Sequence, residues 1–170
     1  MSGLTIRALR TDADAAHVTD LVWQFFEHLR DRYPERARDI DAYIAHQDIA
    51  GQLRDWRTAV TPPAGECLLA LLDDRPVGMV LLRRISDTTC EMNRMFVTGA
   101  ARGRKAGRRL AEALIEAARG MGFSVMRLDA WDRHDEALAL YAARGFERYH
   151  EPGLKPDTMT HDIVHMRRTL

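Results

Sequence analysis

The chain has 170 residues, and its 25 basic side chains balance its 25 acidic ones, so the formal net charge is zero. This length fits a single domain over residues 1–170, which can bury a large apolar core without disulfides or a structural metal. A neutral chain produces no overall field that would draw it onto nucleic acid or an anionic membrane. We therefore expect neither of these partners.

The cysteine and hydropathy patterns predict the compartment. Cys67 and Cys90 lie inside apolar runs and belong to no CxxC pair, which is typical of buried thiols in a reducing environment. The first residues lack the apolar core of a signal peptide, and no run of about eighteen apolar residues could span a bilayer. The sequence therefore predicts a soluble, cytoplasmic protein.

The first third of the chain predicts a short strand followed by helices. Residues Leu4 to Leu9 alternate in the manner of an edge strand, and Thr11 is placed to cap the next helix. Apolar residues of that helix recur at helical spacing: Val18, Leu21, Val22, Phe25 and Leu29. A second helix is expected from roughly Arg36 to Leu53, before the Pro-Pro breaker of residues 61–65.

The rest of the chain predicts a mixed α/β fold. Two apolar runs, ECLLALL and PVGMVLLRR, read as strands joined by a hairpin turn, and their continuous apolarity indicates burial on both faces. Further strands are expected at residues 89–97, 124–130, 146–149 and 161–168, and further helices at residues 105–119 and 135–143. This order places a mixed sheet between helices, with a right-handed crossover that makes one strand pair parallel.

The most informative segment runs from Glu91 to Leu110, EMNRMFVTGAARGRKAGRRL, and reads as a strand, a small-residue turn and a basic helix start. Backbone N–H groups of a first helical turn have no intrahelical partner, and the helix dipole adds partial positive charge there. An anion is therefore favoured near residues 102–108, where Gly103 and Gly107 let it approach the backbone. The segment predicts a phosphate site.

A second motif, LYAARGF from Leu140 to Phe146, sets a tyrosine just before a Gly-Phe helix exit. Together the two segments resemble the GNAT superfamily of acetyl-coenzyme A dependent N-acetyltransferases, in particular a bacterial branch in which a Glu-x-x-Arg-Met strand comes first. Residues 102–107 occupy the family's (Arg or Gln)-x-x-Gly-x-(Gly or Ala) motif. Lys105 stands where the family usually has glycine. We expect it to keep the negative φ of a first helical turn and to meet a phosphate as a point charge.

The resemblance implies a fold and a co-substrate. The implied fold is a central mixed, mostly antiparallel sheet with a parallel pair formed by the fourth and fifth strands, flanked by helices. The implied co-substrate is acetyl-coenzyme A, with no metal. Its pyrophosphate would lie on the N–H groups of residues 103–108, and its pantetheine arm would add along Met95 and Val97, whose amide would point at the thioester oxygen. The coenzyme-binding residues implied in this way are Met95, Phe96, Val97, Arg102, Gly103, Arg104, Lys105, Ala106, Gly107, Arg108, His134 and Tyr141.

Two side chains match catalytic residues of the family. Tyr141, four residues before Gly145, matches the tyrosine that donates a proton to the departing thiolate; the alternative is a core tyrosine with its hydroxyl at the rim. Glu91, six residues before Val97, matches a glutamate that serves some members as general base through water; the alternative is a surface glutamate at a strand end. Strand alternation would place every second residue from Glu91 to Val97 on one face, so that Glu91 faces the coenzyme side.

Four further residues are weaker candidates. His134 stands where relatives have an asparagine that contacts pantetheine; a solvated neighbour of a helix cap is the alternative that we favour. Asp129, at the end of a predicted strand, could attract a cationic acceptor. His161 and His165 share a face and could form a metal pair, but a third ligand is not identifiable and a structural or surface role is favoured.

Rival classes of protein can be weighed against the same residues. Five of the eight residues from Arg102 to Arg109 are basic, yet the neutral chain and the lack of an aromatic platform disfavour a nucleic-acid module. A dinucleotide-binding domain would need a G-x-G-x-x-G motif that the turn lacks. A non-catalytic acyl-coenzyme A sensor of the same fold stays open as the alternative.

The predicted function is transfer of acetyl from acetyl-coenzyme A to a primary amine by direct attack in a ternary complex. The acceptor, a small molecule or a peptide, is not identified by the sequence, although residues 30–63 should form much of its wall. A homodimer is possible through the edge that the strand near Ile163 to Met166 would offer.

Overall fold

A computed structural model of the protein describes residues 3–150 and 162–170. Its helices are α1 (Asp12–Arg32), α2 (Ala37–His46), α3 (Ile49–Arg54), α4 (Trp56–Ala59), α5 (Ala106–Gly120) and α6 (Asp135–Ala143). Its strands are β1 (Leu4–Ala8), β2 (Gly65–Leu72), β3 (Arg75–Arg84), β4 (Thr89–Val97), β5 (Val125–Trp131), β6 (Glu147–Arg148) and β7 (Ile163–Thr169). Within these ranges, every helix is too short or too polar to cross a bilayer.

The strands form one mixed sheet in the order β1-β2-β3-β4-β5-β7-β6. Neighbouring strands are antiparallel except for β4 and β5, which are parallel and joined by α5. The predicted fold class is therefore confirmed, as is the prediction that β1 lies at an edge. The prediction that β7 offers an edge is wrong, because Met166 pairs with Leu128 of β5 on one side and with Arg148 of β6 on the other.

Each face of the sheet carries its own apolar core. Helices α5 and α6 cover one face, where Leu110 and Leu114 pack over the central strands. Helices α1 to α4 cover the other face, where Phe26 and Ile40 are buried. Side chains of β2 and β3 contribute to both cores, which confirms that their apolar runs are buried on both sides.

The segment between α1 and β2 differs from the single helix that the sequence predicts. The prediction of one helix from Arg36 to Leu53 is wrong because the chain turns at Asp48, whose φ of 47° is left-handed. The Asp48 side chain accepts a hydrogen bond from the N–H of Gly51 and so starts α3 as a new helix. A Cβ at Gly51 would lie 2.0 Å from Asp48 Oδ2, so glycine is required there. The turn brings Gln52 to within hydrogen-bond distance of β4.

A β-bulge interrupts β4 in its second half. Its partner residues on β3 change register from Leu81–Asn93 to Met79–Phe96. Two residues, Arg94 and Met95, therefore lie opposite Val80, and Arg94 adopts a left-handed φ of 51°.

The bulge reverses which side of the sheet the β4 side chains face. Met95 and Val97 pack against the core under α5, whereas Glu91 and Asn93 line cavities on the α1 side. The prediction that every second residue from Glu91 to Val97 shares one face is therefore wrong, because simple alternation fails across an inserted residue.

Strands β4 and β5 part from each other after the bulge begins. Their last paired residues are Met92 and Leu128, yet β4 continues to Val97 and β5 to Trp131. The two strands thus open toward their carboxyl ends, the edge at which parallel strands usually meet ligands. We call the point of separation, marked by Asn93 and Asp129, the fork.

Candidate active site

A long groove runs past the carboxyl end of β4, between the starts of α5 and α6. It encloses about 630 Å³. Ten of the twelve residues predicted to bind the coenzyme line it: Met95, Phe96, Val97, Arg102, Gly103, Lys105, Ala106, Gly107, Arg108 and His134. The other two, Arg104 and Tyr141, are not among its lining residues. The structure therefore brings most of the predicted coenzyme contacts to one surface.

The start of α5 presents free backbone donors to this groove. Gly103 and Lys105 have positive φ while Arg104 between them does not, an alternation that turns successive N–H groups toward one concavity. Within the described part of the chain, the N–H groups of Gly103 and of residues 105–108 make no hydrogen bond, and no side chain caps the helix. Such a cluster of unpaired donors at a helix start favours an anion.

The backbone of Lys105 differs from what the sequence predicts. Its φ of 59° and ψ of 24° are left-handed, so the prediction of a negative φ is wrong. The reason is that α5 begins one residue later, at Ala106, which leaves Lys105 in the capping position rather than in the first turn. A left-handed conformation costs an L-residue on the order of 1–2 kcal/mol, which explains why glycine is usual here.

Cationic side chains surround the same donors. Arg102, Lys105 and Arg108 line the groove, and Arg108 Nε donates to Glu112 Oε1 over 2.8 Å at the exposed helix surface. Arg109 instead reaches away, to the backbone oxygen of Leu4. The unpaired amides and three cationic residues together fit a diphosphate, for which charge-assisted hydrogen bonds are the strong contacts.

Tyr141 lies on α6, the helix whose Ala137 and Leu140 line the groove, and it is buried in the core on the α5 side of the sheet. Only 6% of the residue is exposed, and its ring packs edge-on against Phe146. Burial raises the pKa of its phenol well above the ordinary value. Since its hydroxyl makes no hydrogen bond within residues 3–150 and 162–170, a protonated O–H is left without an acceptor there.

His134 precedes α6 and lines the groove. Burial, together with the charges of Arg32 and His28, lowers its pKa to about 4. Its Nε2 is buried and has no partner among the described residues. His134 is the N-cap residue of α6 but makes no side-chain capping bond, and its partly exposed imidazole lies beside the rings of His28 and Tyr33.

A second cavity, of about 290 Å³, lies on the α1 side of the sheet. Its wall is mainly apolar and aromatic: Phe25, Phe26, Leu29, Ile40, Tyr43, Met92, Trp131 and Ile163. Five polar residues enter it from the strands: Glu91, Asn93, Arg94, Asp129 and His165. Phe25 also lines the coenzyme groove, so the two spaces approach each other at that side chain. We call this second space the acceptor cavity.

A third, more polar cavity of about 420 Å³ adjoins the acceptor cavity. The two share five lining residues: Tyr43, Glu91, Asn93, Arg94 and Asp129. Several residues of the predicted acceptor wall, 30–63, lie here, including Gln47 and Gln52. Residues of α1 that precede this stretch, such as Phe26, complete the wall of the acceptor cavity.

Glu91 lies at the acceptor side of β4 and is largely buried. One carboxylate oxygen accepts a hydrogen bond from Arg83 Nη2 at 3.0 Å, and the other lies 3.4 Å from Arg127 Nε. It is not among the lining residues of the coenzyme groove. The prediction that Glu91 faces the coenzyme side is therefore wrong, because the bulge separates its face from that of Met95.

Asp129 and His165 form a pair that the sequence analysis did not connect. Asp129 Oδ1 lies 2.6 Å from His165 Nδ1, and both residues line the acceptor cavity. The sequence signals only that each falls in a predicted strand, because a separation of 36 positions hides the register of the two strands. His161, the proposed metal partner of His165, lies outside the described residues.

A mixed sheet that opens at a fork, with an anion-binding helix start on one face and an acceptor cavity on the other, defines the class of coenzyme A-dependent acetyltransferases. A sequence model of the acetyltransferase (GNAT) family matches residues 19–146, so the chain belongs to this family. An uncharacterised N-acetyltransferase of Schizosaccharomyces pombe is 27% identical over 157 residues, which cover 89% of this chain and 90% of the relative.

Solved structures share the fold. An acetyltransferase of Streptococcus agalactiae superposes with a TM-score of 0.74 at 23% identity, covering 99% of each chain. The PaiA N-acetyltransferase of Thermoplasma acidophilum, in complex with coenzyme A, has a TM-score of 0.72 at 16% identity and also covers 99% of each chain. The yncA protein of Salmonella typhimurium, with acetyl-CoA, has a TM-score of 0.72 at 22% identity, covering 99% of this chain and 94% of its own. These relatives include a yeast and bacteria, so placement in a bacterial branch stays a prediction.

Proposed function

We propose that the protein is an N-acetyltransferase that moves the acetyl group of acetyl-coenzyme A to the primary amine of a small molecule. One observation carries the proposal: a groove with unpaired amides and a separate acceptor cavity approach each other at Phe25, whose ring contacts Phe96 near the end of β4. The acceptor cavity has about 290 Å³, which is near the lower end of the range of roughly 300–1,000 Å³ for small-molecule sites.

The coenzyme would be held from both ends of the groove. The free N–H groups of Gly103 and residues 105–108 bind its pyrophosphate, with Arg102 and Arg108 adding charge. The pairing of β4 with β5 ends at Met92 and Leu128, so the backbone of Met95 is available to the pantetheine arm on the side of β5.

Direct transfer needs one proton acceptor and one proton donor. The amine nitrogen bonds to the acetyl carbon as the C–S bond breaks; the amine's proton passes to a base and the thiolate takes one from an acid. Tyr141 is the proposed acid, because its phenol is protonated and has no acceptor within the described residues.

His165 is the better placed of two candidate bases. Its Nδ1 faces Asp129, which leaves Nε2 as the proton-accepting nitrogen of the ring. The other candidate, Glu91, has each carboxylate oxygen in contact with an arginine, and such cationic neighbours make a carboxylate a weaker proton acceptor. In this arrangement the carboxylate orients the imidazole, and the imidazole takes the proton of the acceptor amine. Enzymes that deprotonate a nucleophile commonly use such an arrangement.

The test combines calorimetry with coenzyme A and thiol release over a panel of primary amines. We expect binding of coenzyme A and amine-dependent release of its thiol. Failure to bind coenzyme A would overturn the proposal. Binding with no thiol release over the whole panel would instead favour the alternative, a non-catalytic acyl-coenzyme A sensor.

The proposed compartment is the cytoplasm. Cys67 and Cys90 are free and buried, and such thiols are typical of reducing compartments. Fractionation of the native host with an antibody against the protein tests this, and recovery outside the cytoplasm would contradict it.

A further inference from the structure

Two adjacent residues at the fork carry buried polar atoms that have no partner among the described residues. These atoms are Oδ1 of Asn93, a hydrogen-bond acceptor, and Nε of Arg94, a hydrogen-bond donor. A buried polar atom left without a partner is destabilising, so folded proteins retain few of them. Because both residues line the acceptor cavity, a ligand there could satisfy both atoms.

The bulge is what brings these two neighbours into the same space. Successive residues of a regular strand point to opposite faces, but the left-handed φ of Arg94 breaks that alternation. As a result, Asn93 and Arg94 both line the acceptor cavity and the polar cavity beside it. A left-handed φ at a non-glycine residue is costly and is often kept where a site needs it.

Arg94 is a cation without a carboxylate partner among the described residues. Its Nη1 donates to the neutral Gln52 Oε1 at 3.1 Å, the Tyr43 side chain is a second neutral partner, and no described carboxylate lies within 4.0 Å of its guanidinium. Burial lowers the pKa of Arg94, but a guanidinium stays charged in proteins. The nearest carboxylates are already engaged, Glu91 by Arg83 and Arg127, and Asp129 by His165. An anion that enters the cavity would find Arg94 as its counter-ion.

The remaining lining of the acceptor cavity indicates the chemistry of the rest of the ligand. Phe25, Phe26, Ile40 and Trp131 present apolar and aromatic surface. A phosphate dianion would need several strong donors, whereas a carboxylate matches the fork-shaped donor set of a single arginine. An ammonium group near the fork would meet the Asp129 carboxylate and the Asn93 oxygen.

We propose that the acceptor is an aminocarboxylate with an apolar or aromatic side chain. Arg94 binds its carboxylate, Asn93 and Asp129 orient its amine at the fork, and the aromatic wall holds its side chain. This inference rests on the proposed acetyl transfer and names the substrate class of that same cavity. The product is the corresponding N-acetyl amino acid.

Two matched series of acceptors test the proposal. One is phenylalanine, phenylalaninamide and phenethylamine; the other is leucine, leucinamide and isopentylamine. We expect thiol release with kcat/KM at least about tenfold higher for the acid than for its amide in at least one series, because the amide lacks the charge-assisted contact with Arg94. Equal or better turnover of the amide and amine in both series would overturn the carboxylate site while leaving acetyl transfer intact.

Variants of Arg94 test whether this residue causes the preference for the acid over its amide. Arg94→Gln should abolish the preference for the acid by raising KM, and Arg94→Lys should keep part of it, with affinity for coenzyme A unchanged in both. Arg119→Gln, an exposed arginine near the end of α5, is the charge-matched control and should behave as the unsubstituted protein. Retention of the full preference in Arg94→Gln would refute the assignment.

A binding measurement separates this inference from the proposed function. Calorimetry of the protein saturated with coenzyme A should detect phenylalanine or leucine but not the matched amide, and Arg94→Gln should weaken that binding at least about tenfold, which corresponds to 1.4 kcal/mol. If no probe releases thiol, Arg94-dependent binding still supports the carboxylate site. If neither acid binds, the site is refuted, whatever the fate of acetyl transfer.

Discussion

Asp129 on β5 and His165 on β7 lie directly opposite each other, with Asp129 Oδ1 2.6 Å from His165 Nδ1. The antiparallel pairing of β5 with β7 holds the imidazole beside the fork, at the wall of the acceptor cavity. A carboxylate on Nδ1 selects the tautomer whose Nε2 accepts a proton. The pair therefore links the sheet register to the proposed deprotonation of the amine.

Replacement of His165 tests that link. His165→Gln should lower kcat by about 10²–10⁴-fold, the usual range for loss of a general base, and should flatten the acidic limb of the pH-rate profile. Affinity for coenzyme A, measured by calorimetry, should not change. His46→Gln, on the exposed end of α2, is the matched control. A pH profile that keeps its shape in His165→Gln would exclude His165 as the base.

Glu91 should behave differently from His165. Glu91→Gln should reduce kcat by less than about tenfold, because only loss of the general base should lower kcat by the larger factor expected for His165→Gln. It should lower the melting temperature, because Arg83 and Arg127 lose their shared carboxylate. The measurements are thermal unfolding and the pH dependence of kcat. A large fall in kcat with a displaced acidic limb would make Glu91 the base instead.

Tyr141 should affect turnover more than stability. Tyr141→Phe should lower kcat by about tenfold to a thousandfold if the hydroxyl protonates the thiolate. The melting temperature should stay nearly constant, because within the described chain the hydroxyl makes no hydrogen bond that the substitution could remove. Steady-state kinetics and thermal unfolding measure both effects. Unchanged turnover would leave Tyr141 as a packing residue of the α5 side.

Local features of this fold could be predicted from the sequence, and non-local ones could not. The bounds of β4 and α6 agree with prediction because strand alternation, helix starts and glycine exits depend on neighbours in the chain. The bulge at Arg94 depends on how β4 pairs with β3, so alternation alone placed Glu91 on the wrong face. The Asp129–His165 pair depends on the register of two strands that the sequence keeps far apart.

The lowered pKa of His134 predicts that the free energy of unfolding depends on pH. Its pKa is lowered to about 4, below the unperturbed value near 6.5, so the unfolded chain binds the proton more readily between these values. Its contribution is therefore present above pH 6.5 and is lost as the pH falls toward 4. The free energy of unfolding should therefore fall between pH 7 and pH 5, as the unfolded chain takes up the proton that the folded His134 refuses.

The free energy of unfolding in urea at pH 7 and pH 5 measures this contribution. His134→Asn, which removes the titrating imidazole, should show a smaller loss between the two pH values than the unsubstituted protein. His46→Asn, at the exposed end of α2, should leave the difference unchanged. Equal losses in His134→Asn and the unsubstituted protein would mean that His134 does not carry the pH dependence.

Two substitutions of Lys105 distinguish the effect of its backbone conformation from the effect of its charge at the start of α5. Lys105→Gly relieves a left-handed φ of 59°, whereas Lys105→Ala removes the same ammonium but keeps the backbone cost. The free energy of unfolding should therefore be about 1 kcal/mol higher for Lys105→Gly than for Lys105→Ala.

The charge of Lys105 gives a second expectation. If the ammonium meets a phosphate, both variants should bind coenzyme A more weakly than the unsubstituted protein, and the difference in affinity should shrink as salt is raised. Urea unfolding and calorimetry at two salt concentrations give both quantities, and equal stability of the two variants would show that residue 105 is not strained.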